Sequence, residues 1–335
     1  MDYEILLNLF KIPAMTGDEE SVRNYIISIL EIYDIEYETD VVGNVYNISN
    51  KEVPLLCAHM DTVQDYKDYV MKDYIRIYKD NILKGAGTIG ADDKCGIYTI
   101  LDLLMNGEKI NFLFTVQEEM GGMGSDYFMS KNDISDLPYG LVIDRYGSSD
   151  ILCVQNDYGT KEFEYALEKV GEDFGFYPAR GVWCDADNLN EQISCANLSC
   201  GYYGHHTKKE YVVLSELKNT IYFIHHVIKN ITDNFKAPTP FKYSKGGYYS
   251  YDNYKYNYDD FTWDDVADLD ALEVFEKSNS SAGLVKCENC HGYTHTTEYI
   301  QTLKKFLCPD CIRDLSWELE YIQLNLDLEE SYSGR

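Results

Sequence analysis

Short apolar runs that stop at an acidic or imidazole residue dominate the first two thirds of the chain. Val53-Pro54-Leu55-Leu56-Cys57-Ala58 stops at His59, Asn111-Phe112-Leu113-Phe114-Thr115-Val116 stops just before Glu118-Glu119, and Leu141-Val142-Ile143 stops at Asp144. Runs of this length with no polar alternation predict strands buried on both faces. Helical periodicity lies between them. Residues 1–12 predict a first helix, and Thr16 with Glu19 reads as a capping box ahead of a second over 22–32. A Gly-rich turn at 85–90 leads through Asp92 into a helical pattern over 96–105, and Leu217, Ile221, Ile224, Ile228 and Ile231 predict a last helix over 214–231. Further strand-like pieces fall at 35–38, 44–48, 151–155, 163–169 and 197–200. This alternation predicts an α/β domain, a mixed and mostly parallel sheet sandwiched by helices. In such sheets ligands gather at the carboxyl ends of the strands, which is where the acids and His59 stand.

The pattern then changes. Residues 241–263 are crowded with Tyr, Asp, Lys and Gly and show no period, as a linker or surface arm would. Two pairs follow, Cys287-Glu288-Asn289-Cys290 and Cys308-Pro309-Asp310-Cys311, at the spacing of a four-cysteine zinc knuckle or ribbon. His291 and His295 rank below the cysteines as ligands. The expected organisation is a domain over 1–235, an arm over 236–280, a zinc module over 281–315 and a tail over 316–335.

Composition narrows the partners. With 29 basic and 57 acidic residues the net charge is -28, which argues against nucleic acid, whose phosphates need clustered Lys and Arg. No apolar stretch approaches the ~20 residues of a membrane span, and the opening residues do not read as a secretory leader. The expectation is a cytoplasmic protein whose ten cysteines are thiols or metal ligands rather than disulfides. Cys57, Cys95, Cys153, Cys195 and Cys200 read as buried small hydrophobes.

The islands at the strand ends supply what a pair of zinc ions needs. Zinc takes imidazole nitrogen and carboxylate oxygen, and two zincs held ~3.5–4 Å apart share a carboxylate. Asp92 is the candidate bridge, with His59 and Asp144 completing one shell and Glu119 and His206 the other. Asp61, two residues past His59 on an extended segment, would accept a hydrogen bond from the ring and fix its tautomer. Glu118 is left over as a general base for a zinc-activated water. Manganese or cobalt would suit the same ligands.

The strings AHMDTV, GADDKCG, VQEEMGGMGS, VIDRYG and YGHHTKKEYV resemble the co-catalytic zinc aminopeptidases and deacylases related to peptidase T, in the superfamily that includes aminoacylase and carboxypeptidase G. The resemblance runs from about residue 5 to about residue 232. It implies a zinc-exopeptidase fold, His59, Asp92, Glu119, Asp144 and His206 as metal ligands, Glu118 as base and Asp61 as the orienting acid. His206 fits its pattern better than His205. Asp at position 144 resembles the aminopeptidases more than the carboxypeptidases. Many relatives insert a lid domain between these last two ligands; here only about sixty residues separate Asp144 from His206, so no lid is expected, and oligomeric state stays open. Asp185 resembles a position near the site, or caps a helix. Arg145 and Arg180 either grip a substrate carboxylate or lie on the surface. The expected activity is a zinc metallopeptidase, an aminopeptidase on short peptides. The rivals are an N-acyl amino acid deacylase with the same chemistry and a non-catalytic adaptor built on the cysteine module.

Overall fold

The computed structural model describes residues 1–63, 75–79, 81–85 and 87–238, and four short strands beyond them. The chain divides into two compact units, Met1–Pro240 and Phe241–Arg335. In the first, helices α1 (Tyr3–Lys11) and α2 (Glu20–Ile32) precede strands β1 (Glu38–Thr39), β2 (Val45–Asn47), β3 (Leu55–His59), β4 (Arg76–Tyr78) and β5 (Ile82–Lys84). Helix α3 (Ala91–Met105), strand β6 (Asn111–Thr115), helix α4 (Met123–Lys131) and strands β7 (Gly140–Arg145) and β8 (Asp150–Leu152) come next. Then come α5 (Lys161–Gly171), β9 (Tyr177–Ala179), α6 (Ala186–Leu189), β10 (Cys195–Ser199), β11 (Tyr202–Tyr203), β12 (Tyr211–Val213) and α7 (Leu214–Asn230).

Eight strands form one sheet in the order β1-β2-β6-β3-β7-β10-β8-β9. Its centre, β6-β3-β7-β10, is parallel, and β2 and β8 join it antiparallel. The mixed, mostly parallel sheet with helices on both faces is therefore the observed fold. Strand alternation divides the core. Leu56, Ala58, Phe112, Phe114, Leu141 and Ile143 face one side with α1, α2, α3, α5 and α7. Leu55, Cys57, Leu113 and Val142 face the other with α4 and α6. Every residue of β3 and β6 is buried, which accounts for their unbroken apolar runs; each large side chain so buried contributes roughly 1.5–3 kcal/mol. A second, antiparallel sheet runs β11-β12-β5-β4. All the residues between Asp144 and His206 are described, and they supply β8, β9 and β10 to the main sheet and β11 to the second.

Two sequence expectations fail here. The piece at 163–169 is helical, inside α5. Phe163, Tyr165 and Leu167 do alternate, but Thr160 caps the Phe163 N–H, and Phe163, Leu167 and Gly171 bury one helical stripe while Tyr165 stays exposed. Thr16 and Glu19 form no capping box. Glu19 stands at the N-cap of α2 without a side-chain cap, because both side chains bond to distant partners described below.

In the second unit the strands Val285–Lys286 and Tyr293–Thr294 pair antiparallel, as do Glu298–Ile300 and Lys305–Leu307. The expected zinc ligands Cys287, Cys290, Cys308 and Cys311 lie outside the described residues. Among the described residues no helix is long and apolar enough to cross a membrane.

Candidate metal centre

The carboxyl ends of β3, β6 and β7 bring His59, Glu118, Glu119 and Asp144 together, and the start of α3 adds Asp92. His59 is the last residue of β3 and is buried. Its Nε2 lies 3.0 Å from Asp92 Oδ1 and 3.6 Å from Asp144 Oδ1. On the other side, His206 Nε2 lies 2.7 Å from Glu119 Oε1 and 3.4 Å from Asp92 Oδ2. Asp92 thus offers one oxygen to each histidine. Two of the donor triads that close to within 4.8 Å are His59 with Asp92 and Asp144, and Asp92 with Glu119 and His206. Four ligands at about 2.0–2.2 Å around a tetrahedral zinc stand about 3.3–3.6 Å apart, so these spacings suit a cation in each triad. The donor set, two imidazoles with the carboxylates of Asp92, Glu118, Glu119 and Asp144, is of the nitrogen and oxygen type that zinc takes.

The supports are specific. Asp92 and Asp93 have non-helical backbone at the head of α3. The Glu210 carboxylate accepts the backbone N–H groups of Ile89 (2.7 Å), Gly90 (2.8 Å), Ala91 (2.9 Å) and Asp92 (3.3 Å), holding the whole approach to that turn. Asp93 points the other way and accepts from His59 N (3.2 Å) and Gly96 N (2.9 Å). Gly96 is required because a Cβ there would strike the Ile143 carbonyl and the Asp93 carboxylate. Asp144 is fixed through Asn197, which bonds its backbone N–H (3.0 Å) and carbonyl (2.8 Å), and through the Tyr202 hydroxyl, which donates to its Oδ1 (3.2 Å). His206 has φ 59° and Gln117, just before the paired glutamates, φ 54°; left-handed backbone at both places turns the next or the same side chain into the site.

Asp61 meets the His59 ring with two groups. The His59 Nδ1 hydrogen goes to the Asp61 backbone carbonyl (2.8 Å), while the nearer carboxylate oxygen is 3.5 Å from that nitrogen. The carboxylate also accepts the N–H groups of Glu118 (2.9 Å) and Glu119 (3.2 Å) and the Thr16 hydroxyl (3.0 Å). An acid two residues along an extended strand faces the same side as the histidine, but the turn after β6 supplies donors that compete for it.

Of the two adjacent histidines, only His206 meets Asp92 and Glu119. His205 stacks on Tyr146 (5.4 Å between centroids) and abuts Tyr202 edge-on. Asp185 occupies the N-cap position of α6 but does not cap it. Its buried carboxylate accepts the hydroxyls of Thr115 (2.6 Å) and Ser125 (2.5 Å). Arg145 pairs through Nε with Asp150 (3.0 Å) and lies over the Tyr146 ring, whereas Arg180 is exposed. Cys57, Cys95, Cys153, Cys195 and Cys200 are buried free thiols, as expected, and so is Cys184. The sequence reading gave no role to Glu210. The signal was an acid directly before the apolar Tyr211-Val212-Val213, where a buried strand start would otherwise be apolar.

Proton affinities follow the crowding. Burial favours the neutral form of His59, but Asp144, Asp61 and Asp92 together raise it well above the usual imidazole value. Hydrogen bonds to Asp92 and Glu119 raise His206 to about 10. Burial pushes Asp92 up, yet the hydrogen bonds from His206 and His59 prevail and hold it well below the ordinary carboxylate range. Asp144 is raised to about 7 by burial and then by Asp92. Burial, opposed by His59 and reinforced by Asp144, raises Glu118 to about 10. Its Oε2 is 4.0 Å from His59 Nε2, beside the donors but outside both Asp92 triads.

Residues 55–230, more than half of the chain, match the model of Peptidase family M20/M25/M40. The chain belongs to this family. A protein of Pyrococcus furiosus, provisionally named a LysW-lysine/LysW-ornithine hydrolase, is 29% identical over 175 residues, which are 51% of this chain and 50% of the relative. One of Aspergillus niger, named a probable carboxypeptidase, is 26% identical over 158 residues, 41% of this chain and 38% of the relative. The chain spans half or less of the length of these curated relatives. A tripeptidase from Staphylococcus aureus superposes with a TM-score of 0.58 at 15% identity, over 69% of this chain and 97% of that one. The aminopeptidase PepT from Bacillus cereus superposes with a TM-score of 0.55 at 16% identity, over 68% and 97%. At these identities the likeness to solved structures is one of fold. In this M20/M25/M40 protein the site above gathers imidazole and carboxylate donors spaced as a metal ion would need.

Proposed function

We propose that this chain is a two-zinc exopeptidase that removes residues from the free amino end of short peptides. The observation that carries the reading is the position of Asp92, whose two oxygens reach His59 at 3.0 Å and His206 at 3.4 Å, each histidine having a further carboxylate beside it. In this reading His59, Asp92 and Asp144 hold one zinc, and Asp92, Glu119 and His206 the other. When bound, such a pair supplies Lewis acidity, polarising the scissile carbonyl and making a water acidic enough to lose its proton near pH ~7.

The chain's own residues do the rest. Glu118 is buried beside the donor set and binds a proton strongly because burial and the acid Asp144 disfavour its charge. Divalent charge nearby lowers that affinity, bringing Glu118 into the range where one carboxylate both accepts and returns a proton. It takes the proton of the attacking water and delivers it to the leaving amine. Asp61 holds the Glu118 backbone while this happens, and its carbonyl keeps the His59 Nδ1 protonated, so that Nε2 is the free donor. The absence of a lid belongs to the same reading; what supports it is that the residues between Asp144 and His206 form strands and helices of the two sheets. Residues 281–315 are read as a zinc module, with Cys287, Cys290, Cys308 and Cys311 as ligands, a staple for a segment too small to build its own core.

The rival is an amide hydrolase on an N-acyl amino acid, with the same residues in the same roles. The observation on its side is the Pyrococcus furiosus relative, named for LysW-lysine and LysW-ornithine. Digestion of a peptide library with added zinc, manganese or cobalt, read by mass spectrometry beside N-acetylated amino acids, tests both. Products shortened from the amino end support the aminopeptidase. Cleavage of acylated amino acids alone, or shortening from the carboxyl end, overturns it. Metal content separates either enzyme, with up to three zincs per chain, from an adaptor with about one.

A further inference from the structure

The segment between α1 and α2 runs as a strap from the head of α3 to the turn after β6. At one end Lys94 Nζ, two residues past Asp92, donates to the carbonyls of Phe10 (3.3 Å) and Ile12 (2.6 Å). Next, the Ala14 carbonyl accepts the Thr62 N–H (2.7 Å) and hydroxyl (3.1 Å), and Met15 bridges Thr62 in parallel register. At the far end the Thr16 hydroxyl donates to Asp61 Oδ2 (3.0 Å), and Glu19 Oε1 accepts from Gly17 N (2.8 Å) and Gln117 N (3.3 Å). Asp61 in turn accepts from Glu118 N with Oδ1 (2.9 Å) and from Glu119 N with Oδ2 (3.2 Å).

Three successive N–H groups, those of Gln117, Glu118 and Glu119, therefore end on two buried carboxylates, and both carboxylates are governed by the strap. Glu19 lies on it. Asp61 is bonded to it by Thr16. Beyond the end of β6 at Thr115 the turn is closed on its carbonyl side by Met123 N on Gln117 O and by Gly121 N and Gly122 N on Glu118 O; on its N–H side, from the left-handed Gln117 onward, it depends on these two carboxylates. A carboxylate torsion is soft and nearly two-fold; a donor set on both oxygens is what pins it. Removing the Thr16 hydroxyl takes away the side-chain donor to Asp61 Oδ2 and leaves that oxygen with only the weaker 3.2 Å bond from Glu119 N, which loosens the backbone that carries both glutamates.

We propose that Thr16 is a positioning residue: by anchoring the Asp61 carboxylate it sets where the Glu118 base and the Glu119 side chain stand. The proposal rests on the peptidase reading for its kinetic consequence, but its structural consequence is independent of activity. Thr16→Val keeps the shape and deletes the donor, while Thr16→Ser keeps the donor. In the full chain, hydrogen–deuterium exchange read on the peptide spanning 116–122 should show the Glu118 and Glu119 amides exchanging about tenfold faster in Thr16→Val, with α7 amides unchanged. With metal loaded, kcat should fall about tenfold and KM stay within about twofold. Thr16→Ser should restore both. Parent-like exchange and parent-like kcat in Thr16→Val overturn the proposal. So do equal losses in the Ser and Val variants, or faster exchange throughout the domain, because each assigns the effect to packing rather than to the hydroxyl. If the parent cleaves no amide substrate while Thr16→Val still loses protection at 118 and 119, the peptidase reading falls and the anchoring of the turn stands.

Discussion

Glu210 and Asp92, 118 residues apart in the chain, meet through the backbone: Glu210 Oε1 accepts the Asp92 N–H at 3.3 Å. Its carboxylate also takes the three N–H groups before it, so one buried acid positions the residue both histidines approach. Charge-assisted bonds of this kind are the stronger hydrogen bonds of proteins. Glu210→Ala strands four buried donors, and Glu210→Gln keeps an oxygen for two of them and sets an NH2 donor against the other two. Supports one step behind a metal ligand typically change affinity by about 10–100-fold. Chelator competition on the purified protein should show a loss of that size in Glu210→Gln, with a lower Tm in Glu210→Ala. Parent-like metal retention in both variants would falsify the role given to Glu210.

Glu118 should matter to turnover and not to occupancy. Glu118→Gln is expected to retain the parent's metal content by elemental analysis while kcat falls by about 10²–10⁴-fold, the usual worth of a positioned acid–base group. A variant that hydrolyses substrate like the parent would show that another group moves the proton.

Asp92 should matter to both cations. Asp92→Asn is expected to lower the metal content by one to two ions per chain and to abolish hydrolysis, because each triad loses the same ligand. Cys287→Ser and Cys308→Ser should each release one zinc per chain and leave the other two in place. Treating the parent with a strong chelator should remove activity, and zinc, manganese or cobalt should restore it to different extents. Undiminished metal content in Asp92→Asn is the outcome that contradicts a shared ligand.

Glu216 predicts a pH dependence of stability away from the metal centre. It is buried on α7, accepts the Tyr203 hydroxyl at 2.6 Å, and is raised to about 8 by burial, the Tyr203 bond opposing. The unfolded chain loses this proton near 4.5 and the folded chain near 8. Between those values the folded state binds the extra proton, so stability falls as pH rises. Glu216→Gln removes the titration. Denaturant melts should then show the parent losing up to a few kcal/mol between pH 5 and pH 8 that the variant keeps. Parallel pH profiles would count against it.

Much of the first unit was legible because its signals are local. β3, β6 and β7 are buried through their apolar runs, and the candidate donors stand where those runs end. α7 was legible from its apolar stripe. Helix α5 was not, because Phe163, Tyr165 and Leu167 satisfy a two-residue period as well as a helical one, and only the Thr160 cap and the exposure of Tyr165 separate them. Thr16 and Glu19 have the spacing of a capping box, yet their partners Asp61 and Gln117 lie far along the chain. Asp61 was expected to hold the His59 ring with its carboxylate; its carboxylate lies 3.5 Å from Nδ1 and its carbonyl stands closer, at 2.8 Å.

By itself the sequence determined the donor types, their order and their placement at strand ends, since these follow from residue chemistry and from the periodicity of short segments. The tertiary structure decided which oxygen faces which nitrogen: that Asp92 Oδ1 meets His59 and Oδ2 meets His206, that Asp61 turns its carboxylate to the Glu118 and Glu119 amides, and that the strap and Glu210 hold the acids in place. Those relations join residues 33 to 121 positions apart. They depend on sheet order and on left-handed turns at Gln117 and His206, which no local pattern encodes.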